Sequence, residues 1–319
     1  MKQPLKYIYH RTLVGKIVMN LYHFINKEIV PERIYLKYRY KKHFGEFPDL
    51  RSPKTLNEKI IWLKLHDRTP LHTRCADKYE VRGFIKDNIG EEYLVPLYFH
   101  TQNVNEIIAD NLPDTHCIIK TNHDSGGGIF VLDKTKMNWE DIQQKLKKRM
   151  EKNYYPKSKE WQYKNITPRV IVEKLLQNSK GEIPEDYKLH CFNGSVRMIQ
   201  VDMGRGTTNH YRNWYNTHWQ REPYKWSSPK GPGKYTDPSP DDVPRPKTLE
   251  KMISLSEIIS THFDYVRVDW YDVDSKLYFG EVTFHHDGGN KPILPEKWDL
   301  ILGSELILTK LKLQDVPKD

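Results

Sequence analysis

Cysteine is scarce in this chain. The three residues, Cys75, Cys117 and Cys191, are odd in number and far apart among 319 positions. That excludes a disulfide framework and any metal or redox pair, and it fits a reducing compartment. Long apolar runs are missing too: no stretch approaches the roughly 18 consecutive apolar residues of a membrane span. Basic residues interrupt the apolar face of the first residues, so the layout of a signal peptide is absent. The expectation is a cytoplasmic protein, with peripheral contact at the inner face of the cell membrane left open. The chain has no internal repeat, no zinc-finger spacing and no RNP-type aromatic motif, so no nucleic-acid partner is expected.

What is present is charge and aromatic surface. Charged residues make up 29% of the chain and hydrophobic residues 37%, yet 12% are aromatic, which argues against disorder. Lysine and arginine number 51 against 42 acidic residues, a net charge of +9, with the basic residues dense near the start. Such a surplus suits an anionic membrane surface or an acidic substrate. The length allows one large domain or two modest ones.

Four regions follow one another. Residues 1–50 read as helices: Ile8, Leu13, Ile17, Leu21, Phe24 and Ile25 recur at helical spacing between Lys6, Arg11 and Lys16, and Arg33, Lys37, Arg39, Lys41 and Lys42 come later. A basic amphipathic helix of this kind either packs on its own domain or lies on an anionic bilayer. Residues 53–112 form a mostly helical lead-in. Ser52-Pro-Lys-Thr55 caps a helix over Leu56–Leu65, a second runs from about Thr73 to Asn88, and Val95-Pro-Leu-Tyr-Phe reads as a strand. From about 115 to 205 the pattern is strands and glycine: Cys117–Lys120, Ile129–Leu132, Val170–Leu176, Tyr187–Phe192, then the hairpin turn Asn193-Gly194 and Val196–Val201. Residues 226–246 read as a proline-rich loop, and a helix from Leu249 to about His262 leads into two final strands.

Those strands are Tyr265-Val-Arg267-Val-Asp269-Trp-Tyr and Tyr278-Phe-Gly-Glu281-Val-Thr283, joined at Asp272-Val-Asp274-Ser-Lys. A hairpin there sets Asp269 beside Glu281, with Arg267 on the same face. The arrangement is either a surface ion pair or a magnesium–phosphate site, since Mg2+ takes one or two carboxylates plus substrate phosphates. The run Thr121-Asn-His-Asp-Ser125-Gly-Gly-Gly128 between two strands also has two readings. It is a flexible hairpin tip, or a flap whose backbone N–H groups approach a phosphate with Lys120 at its base. It is neither a Walker loop nor GxGxxG. His285, His286 and Asp287 read as a polar substrate loop, His190 and Cys191 as packing residues. Trp214, Tyr215, Trp219, Tyr224 and Trp226 cluster beside the proline-rich loop and read as a sugar-stacking lid. Asp272-x-Asp274 is the one candidate metal pair for a sugar nucleotide, though two aspartates in a turn are commonplace.

Taken in order, Asp77-Lys78-Tyr79 on a helix, Lys120 before the glycine run, Glu173-Lys-Leu-Leu176, Arg267-x-Asp269 and Glu281-x-Thr283 resemble an ATP-grasp ligase. More narrowly, Phe47-Pro-Asp-Leu, Leu56-Asn-Glu-Lys-Ile-Ile-Trp-Leu-Lys-Leu, Ala76-Asp-Lys-Tyr-x-Val-Arg82 and Gly280-Glu-Val-Thr-Phe resemble the TupA-like ATP-grasp family. That family takes its name from teichuronopeptide biosynthesis and is often found with enzymes of polysaccharide or capsule assembly. The resemblance runs from about Phe47 to Gly289.

It implies an α/β (α+β) ATP-grasp fold with a basic helical extension over 1–52, a lead-in over 53–114 and the nucleotide-binding and catalytic region over 115–319. It implies ATP and Mg2+. Lys78 and Lys120 match the lysines that neutralise the phosphates, and Ser125, Gly126, Gly127 and Gly128 the flap. Glu173, Lys174, Leu175 and Leu176 match the hinge that reads adenine, and Asp186 the ribose-binding acid; Lys188, from its own place on a strand, either reaches phosphate or substrate or is a solvated strand lysine. Asp269 and Glu281 match the magnesium ligands, with Thr283 where many relatives carry asparagine. Arg267, with Lys120, matches the groups that stabilise charge on the transferred phosphoryl group. The implied reaction activates a carboxylate as an acyl phosphate, which an amine then attacks. The implied partners are an amino acid or other amine and a uronic-acid-containing glycan or its lipid-linked precursor. A glycosyltransferase or a glycan kinase of the same pathway is the alternative.

Overall fold

A computed structural model describes residues 29–124, 126–204, 207, 209–232 and 234–314, together with residues 12, 17, 18 and 21. Most of the expected first helix, including Ile8, Leu13, Phe24, Ile25, Lys6, Arg11 and Lys16, lies outside the described residues, as does Ser125.

The helical lead-in holds α1 (Glu32–Phe44), α2 (Leu56–His66), α3 (Pro70–Ala76) and α4 (Val81–Ile89). Thr55 caps α2 as expected: its side chain accepts the Glu58 N–H at 3.1 Å, and Glu58 reaches back to the Thr55 N–H at 3.1 Å. Such a cap is worth about 1 kcal/mol. The single helix expected from Thr73 to Asn88 is instead two. Asp77 stops the first by accepting the N–H groups of Tyr79 and Glu80 and the side-chain amide of Asn122. The Lys78 N–H then bonds the Asn122 carbonyl at 3.1 Å. Lys78 therefore sits in a turn between α3 and α4, not on a helix.

A smaller sheet of β1 (Leu97–Thr101), β2 (Cys117–Thr121), β3 (Ile129–Val131) and β4 (Val170–Lys174) runs in the order β1-β4-β2-β3, antiparallel throughout. The glycine run joins β2 to β3, as read from sequence. Behind this sheet α5 (Trp139–Met150) buries Ile142 and Leu146 against Ile119, Val131, Val170 and Val172. A one-turn α6 (Tyr155–Ser158) follows it.

The larger sheet comes from β5 (Asp186–Phe192), β6 (Ser195–Met203), β7 (Tyr211–Tyr215), β11 (Tyr265–Val273) and β12 (Lys276–Thr283), in the order β12-β11-β5-β6-β7. Asn193 and Gly194, both at positive φ, make the expected tight turn between β5 and β6. One face of the sheet is apolar: Val268, Leu189 and Ile199 lie side by side and pack on Leu249, Met252, Leu255 and Ile259 of α7 (Leu249–Ser260). Full burial of each such side chain is worth about 1.5–3 kcal/mol. Because side chains alternate, the opposite face carries the polar residues of the same strands.

Two sequence expectations change here. The proline-rich stretch is not structureless: it contributes β8 (Lys225–Trp226), β9 (Pro229–Gly231) and β10 (Lys234–Tyr235), and β8 pairs with β13 (Ile293–Leu294) ahead of α8 (Lys297–Glu305) and α9 (Thr309–Gln314). The aromatic group is not a lid. Trp214, Tyr215, Tyr224 and Trp226 are all buried, with Trp214 stacked on Trp226 at 5.6 Å between centroids and Tyr215 on Trp219 at 4.4 Å. Apolar ring area drives them inward more strongly than a nearby loop can hold them out.

Candidate active site

The polar face of the larger sheet is assembled by strand register. Glu281, Asp269, Lys188, Gln200 and Trp214 form one row across all five strands, and Tyr271, Asp186, Asp202 and Arg212 form the next. The expected pairing of Asp269 with Glu281 is thus present. Arg267 holds the two together: Nε and Nη2 each donate to Asp269 at 2.7 Å, and Nη2 also donates to Glu281 at 2.8 Å. Its third edge, Nη1, donates to His286 Nδ1 at 3.0 Å. Burial alone would lower the Arg267 pKa, but the charge and hydrogen bonds of Asp269, then the charge of Glu281, raise it above the ordinary arginine value. Burial, followed by the Arg267 charge, pushes His286 well below the usual histidine range. The ring is therefore neutral, and its proton lies on Nε2 because Nδ1 accepts.

Lys188 lies behind the carboxylates rather than beside open space. Its ammonium bonds Asp186 and stands 3.3 Å from Asp269 and 3.9 Å from Asp202. It ties three neighbouring strands' worth of negative charge together, which keeps that charge in place at a site only 4% exposed. Thr283 donates its hydroxyl to Glu281 at 3.2 Å.

Above this face, the smaller sheet supplies cations and the flap. Lys120 on β2 bonds Glu173 on β4 at 2.9 Å, and Arg82 from α4 bonds the same carboxylate at 3.2 Å and the Val95 carbonyl at 2.9 Å. Lys78 bonds the Asp124 carbonyl. Burial lowers the Lys78 pKa, and Glu281 and Asp124 oppose that, so this lysine faces the acidic hairpin as well as the flap. Gly126 and Gly127 take positive φ, +79° and +76°, which leaves their carbonyls turned toward Arg149 of α5. Arg149 also grips the Asp124 carboxylate at 2.8 and 2.6 Å.

Between the two sheets lies a cavity of about 420 Å³, within the size range of small-molecule sites. Lys78, Lys120, Gly126, Gly127, Gly128, Glu173, Lys174, Leu175, Leu176, Asp186, Asp269 and Glu281 all line it. Of the residues singled out from sequence, Arg267, Lys188 and Thr283 do not line it but stand against residues that do, and Ser125 lies outside the described residues. Sequence reasoning missed the apolar walls, Leu94, Ile118, Phe130 and Phe279, and it missed Arg82 and Arg149. Their signal is only an apolar or basic residue in a regular element, which most proteins carry many times over.

Two further expectations resolve. His285 and His286 are buried, so the loop after β12 is not an open polar loop. His286 sits edge-on to Trp226 at 4.4 Å, and Asp287, at φ +47°, accepts from Ser228 at 2.6 Å. Asp272 and Asp274 serve the hairpin turn: Asp272 accepts the Ser275 N–H and the Thr248 hydroxyl, and Asp274 accepts the Ser179 N–H.

Chemically, the cavity offers apolar walls for a flat ring, two lysines, a glycine-lined edge and two adjacent carboxylates. Among the described residues no cluster of three or more histidine, cysteine or acidic side chains is set to hold a metal. Two carboxylates fit an ion such as Mg2+, which takes its remaining ligands from phosphates and water.

A family model described as TupA-like ATPgrasp matches residues 58–307. Among solved structures, the chain is similar to D-alanine–D-alanine ligase from Bacillus anthracis, at 16% identity and a TM-score of 0.43, over 76% of this chain and 70% of that one. It is similar to an L-amino acid ligase from Bacillus licheniformis at 12% identity and 0.44, over 81% and 56%. It is also similar to the ATP-grasp ligase PsnB in complex with a minimal precursor, at 8% and 0.36, over 78% and 68%. No curated protein matches the sequence.

Proposed function

From the premise that the chain belongs to the TupA-like ATP-grasp family, whose members are ligases using ATP and Mg2+, we propose that it joins an amine or amino acid to the carboxylate of a uronic-acid-containing glycan or its lipid-linked precursor. The observation that carries the reading is convergence. Lys78 and Lys120 from one side and the Arg267-held pair Asp269 and Glu281 from the other meet at one cavity.

In this reading Leu175 and Leu176, with Phe279 and Ile118, flank the adenine, backbone groups of Glu173 and Lys174 read its edge, and Asp186 holds the ribose. Lys78 and Lys120 neutralise the phosphates under Gly126, Gly127 and Gly128. Asp269 and Glu281 would hold Mg2+, with the Thr283 hydroxyl donating to Glu281. ATP supplies the phosphoryl group that activates the carboxylate, and Mg2+ neutralises charge on its oxygens. Arg267 acts through fixed position. Its guanidinium donates to two carboxylates and to His286, so its charge is fixed behind the Asp269–Glu281 pair without needing to reorganise. The closing flap excludes water, which protects the activated carboxylate until the amine arrives. Net charge of +9 suits an acidic glycan.

The test is ADP and phosphate release from Mg-ATP with uronic acids paired with amino acids, alongside hydroxylamine trapping. The proposal expects turnover that needs both partners and a hydroxamate when hydroxylamine replaces the amine. Transfer of phosphate to a sugar hydroxyl, with no hydroxamate, would show a kinase instead.

A further inference from the structure

We propose that the outer face of α1, together with Phe47, is a docking surface for an anionic lipid bilayer; this stands independently of the nucleotide reading. The inner side of α1 is fixed to the body. Leu36 and Tyr40 are buried, the Tyr35 hydroxyl and Arg39 both donate to the Lys157 carbonyl at 3.1 and 3.0 Å, and Glu32 pairs with Arg68. The helix therefore cannot roll, and the stripe Ile34, Lys37, Tyr38 and Lys41, at i, i+3, i+4 and i+7, faces outward.

That stripe is apolar where surfaces are ordinarily polar. Ile34 is 47% exposed and Tyr38 64%. At the end of the helix Gly45 takes a left-handed conformation, φ +84°, and turns the chain so that Phe47 folds back edge-on to Tyr38 at 5.2 Å. Phe47 is still 43% exposed, and the ammonium groups of Lys41 and Lys37 stand 4.4 and 5.5 Å from its ring centre. Earlier in the chain Ile17, Val18 and Leu21, at i, i+1 and i+4, are 58, 46 and 56% exposed. Of the residues read from sequence as a helix face that packs or lies on a membrane, the two described, Ile17 and Leu21, are turned to solvent.

Charge decides the occupant. On α1 and the turn after it, Arg33, Lys37, Lys41 and Lys42 are basic outside the Lys157 contact, Glu32 is paired with Arg68, and Glu46 is the one other acid. A second protein meeting such a patch would need an acidic rim around an apolar centre. An acidic glycan would satisfy the lysines and stack on the rings, but would leave Ile34 in water. An anionic bilayer supplies both, with headgroup charge at the depth of the lysine tips and an apolar layer beneath, where aromatic rings and lysine stems settle.

The experiment is sedimentation of the full chain with vesicles of phosphatidylcholine alone or mixed with phosphatidylglycerol, for the unchanged protein, Lys37→Glu/Lys41→Glu and Tyr38→Ser/Phe47→Ser. The proposal expects binding to the mixed vesicles only. It expects loss by about tenfold or more on charge reversal, a comparable loss on removing the two rings, and weakening by salt. Tyr38, Lys41 and Phe47 are exposed and Lys37 is half-buried with its ammonium over the Phe47 ring, so both variants should keep the thermal midpoint and nucleotide affinity of the parent. Absence of binding to anionic vesicles, or equal binding by all three proteins, would overturn it. So would a self-association lost in Tyr38→Ser/Phe47→Ser, which would assign the face to a second copy of the chain.

Discussion

The three donor edges of Arg267 define the site at the scale of single residues. Two of them go to Asp269 and Glu281 and the third to His286. Lysine keeps the charge but cannot fork, so Arg267→Lys is expected to lower turnover roughly 100-fold while Mg-ATP affinity changes by only a few fold. Equal losses in both would show that Arg267 merely holds the site together. His286→Ala removes one acceptor and leaves a gap beside Trp226; His286→Gln restores an acceptor. The account expects turnover lower by roughly tenfold in the alanine variant and partly recovered in the glutamine variant, measured as ADP release. Arg267, Asp269 and Glu281 were legible in the sequence because alternation along two strands fixes which side chains share a face. His286 was not, because nothing in His285-His-Asp-Gly-Gly announces that the loop turns inward. Three consecutive positive φ values, at Asp287, Gly288 and Gly289, fold it under the sheet.

At the scale of elements, Arg149 latches the glycines of the flap. Arg149 binds the carbonyls of Gly126 and Gly127 and the carboxylate of Asp124, linking the end of α5 to the loop between β2 and β3. Arg149→Ala should speed amide exchange in residues 126–128 by roughly tenfold or more and weaken Mg-ATP binding by a similar factor. Unchanged exchange would show that the latch is ornamental. A second element contact carries a pH dependence. Asp299 of α8 accepts both the backbone and side-chain N–H of Asn57 on α2, at 3.0 and 2.8 Å, and burial raises its pKa from 3.8 to about 6. Between those two values the folded chain holds a proton that the unfolded chain has released. Stability is therefore greatest below pH 3.8 as far as this group is concerned, and it falls as pH rises toward about 6, by an amount on the order of 3 kcal/mol at most. Urea midpoints of the parent should fall relative to Asp299→Asn across that window, and parallel curves would contradict the assignment. Strand pairs and helix caps were legible from turn and capping residues. The break at Asp77 was not, because it depends on Asn122, 45 positions away, reaching back to the Asp77 carboxylate.

For the whole molecule, two antiparallel sheets face one cavity, and the sequence motifs lie at its edge because each sheet turns one set of alternating side chains toward it. The architecture was legible from the order of these motifs, since the lysines, glycine run, hinge and acidic hairpin occur in the sequence a nucleotide-clasping fold needs. The aromatic cluster misled for a physical reason. Ring density near prolines suits a lid as well as a core, and only tertiary packing decides, here in favour of the core around Trp214 and Trp226. The central claim, that this cavity is a Mg-ATP site, is tested most directly by calorimetric titration of Mg-ATP into the parent protein, Lys120→Met and Asp269→Asn. The account predicts binding by the parent that weakens when Mg2+ is withheld. It predicts a loss of roughly tenfold or more in Lys120→Met, and loss of the Mg2+ dependence in Asp269→Asn. No binding by the parent, or the same affinity in all three proteins with and without Mg2+, would contradict it.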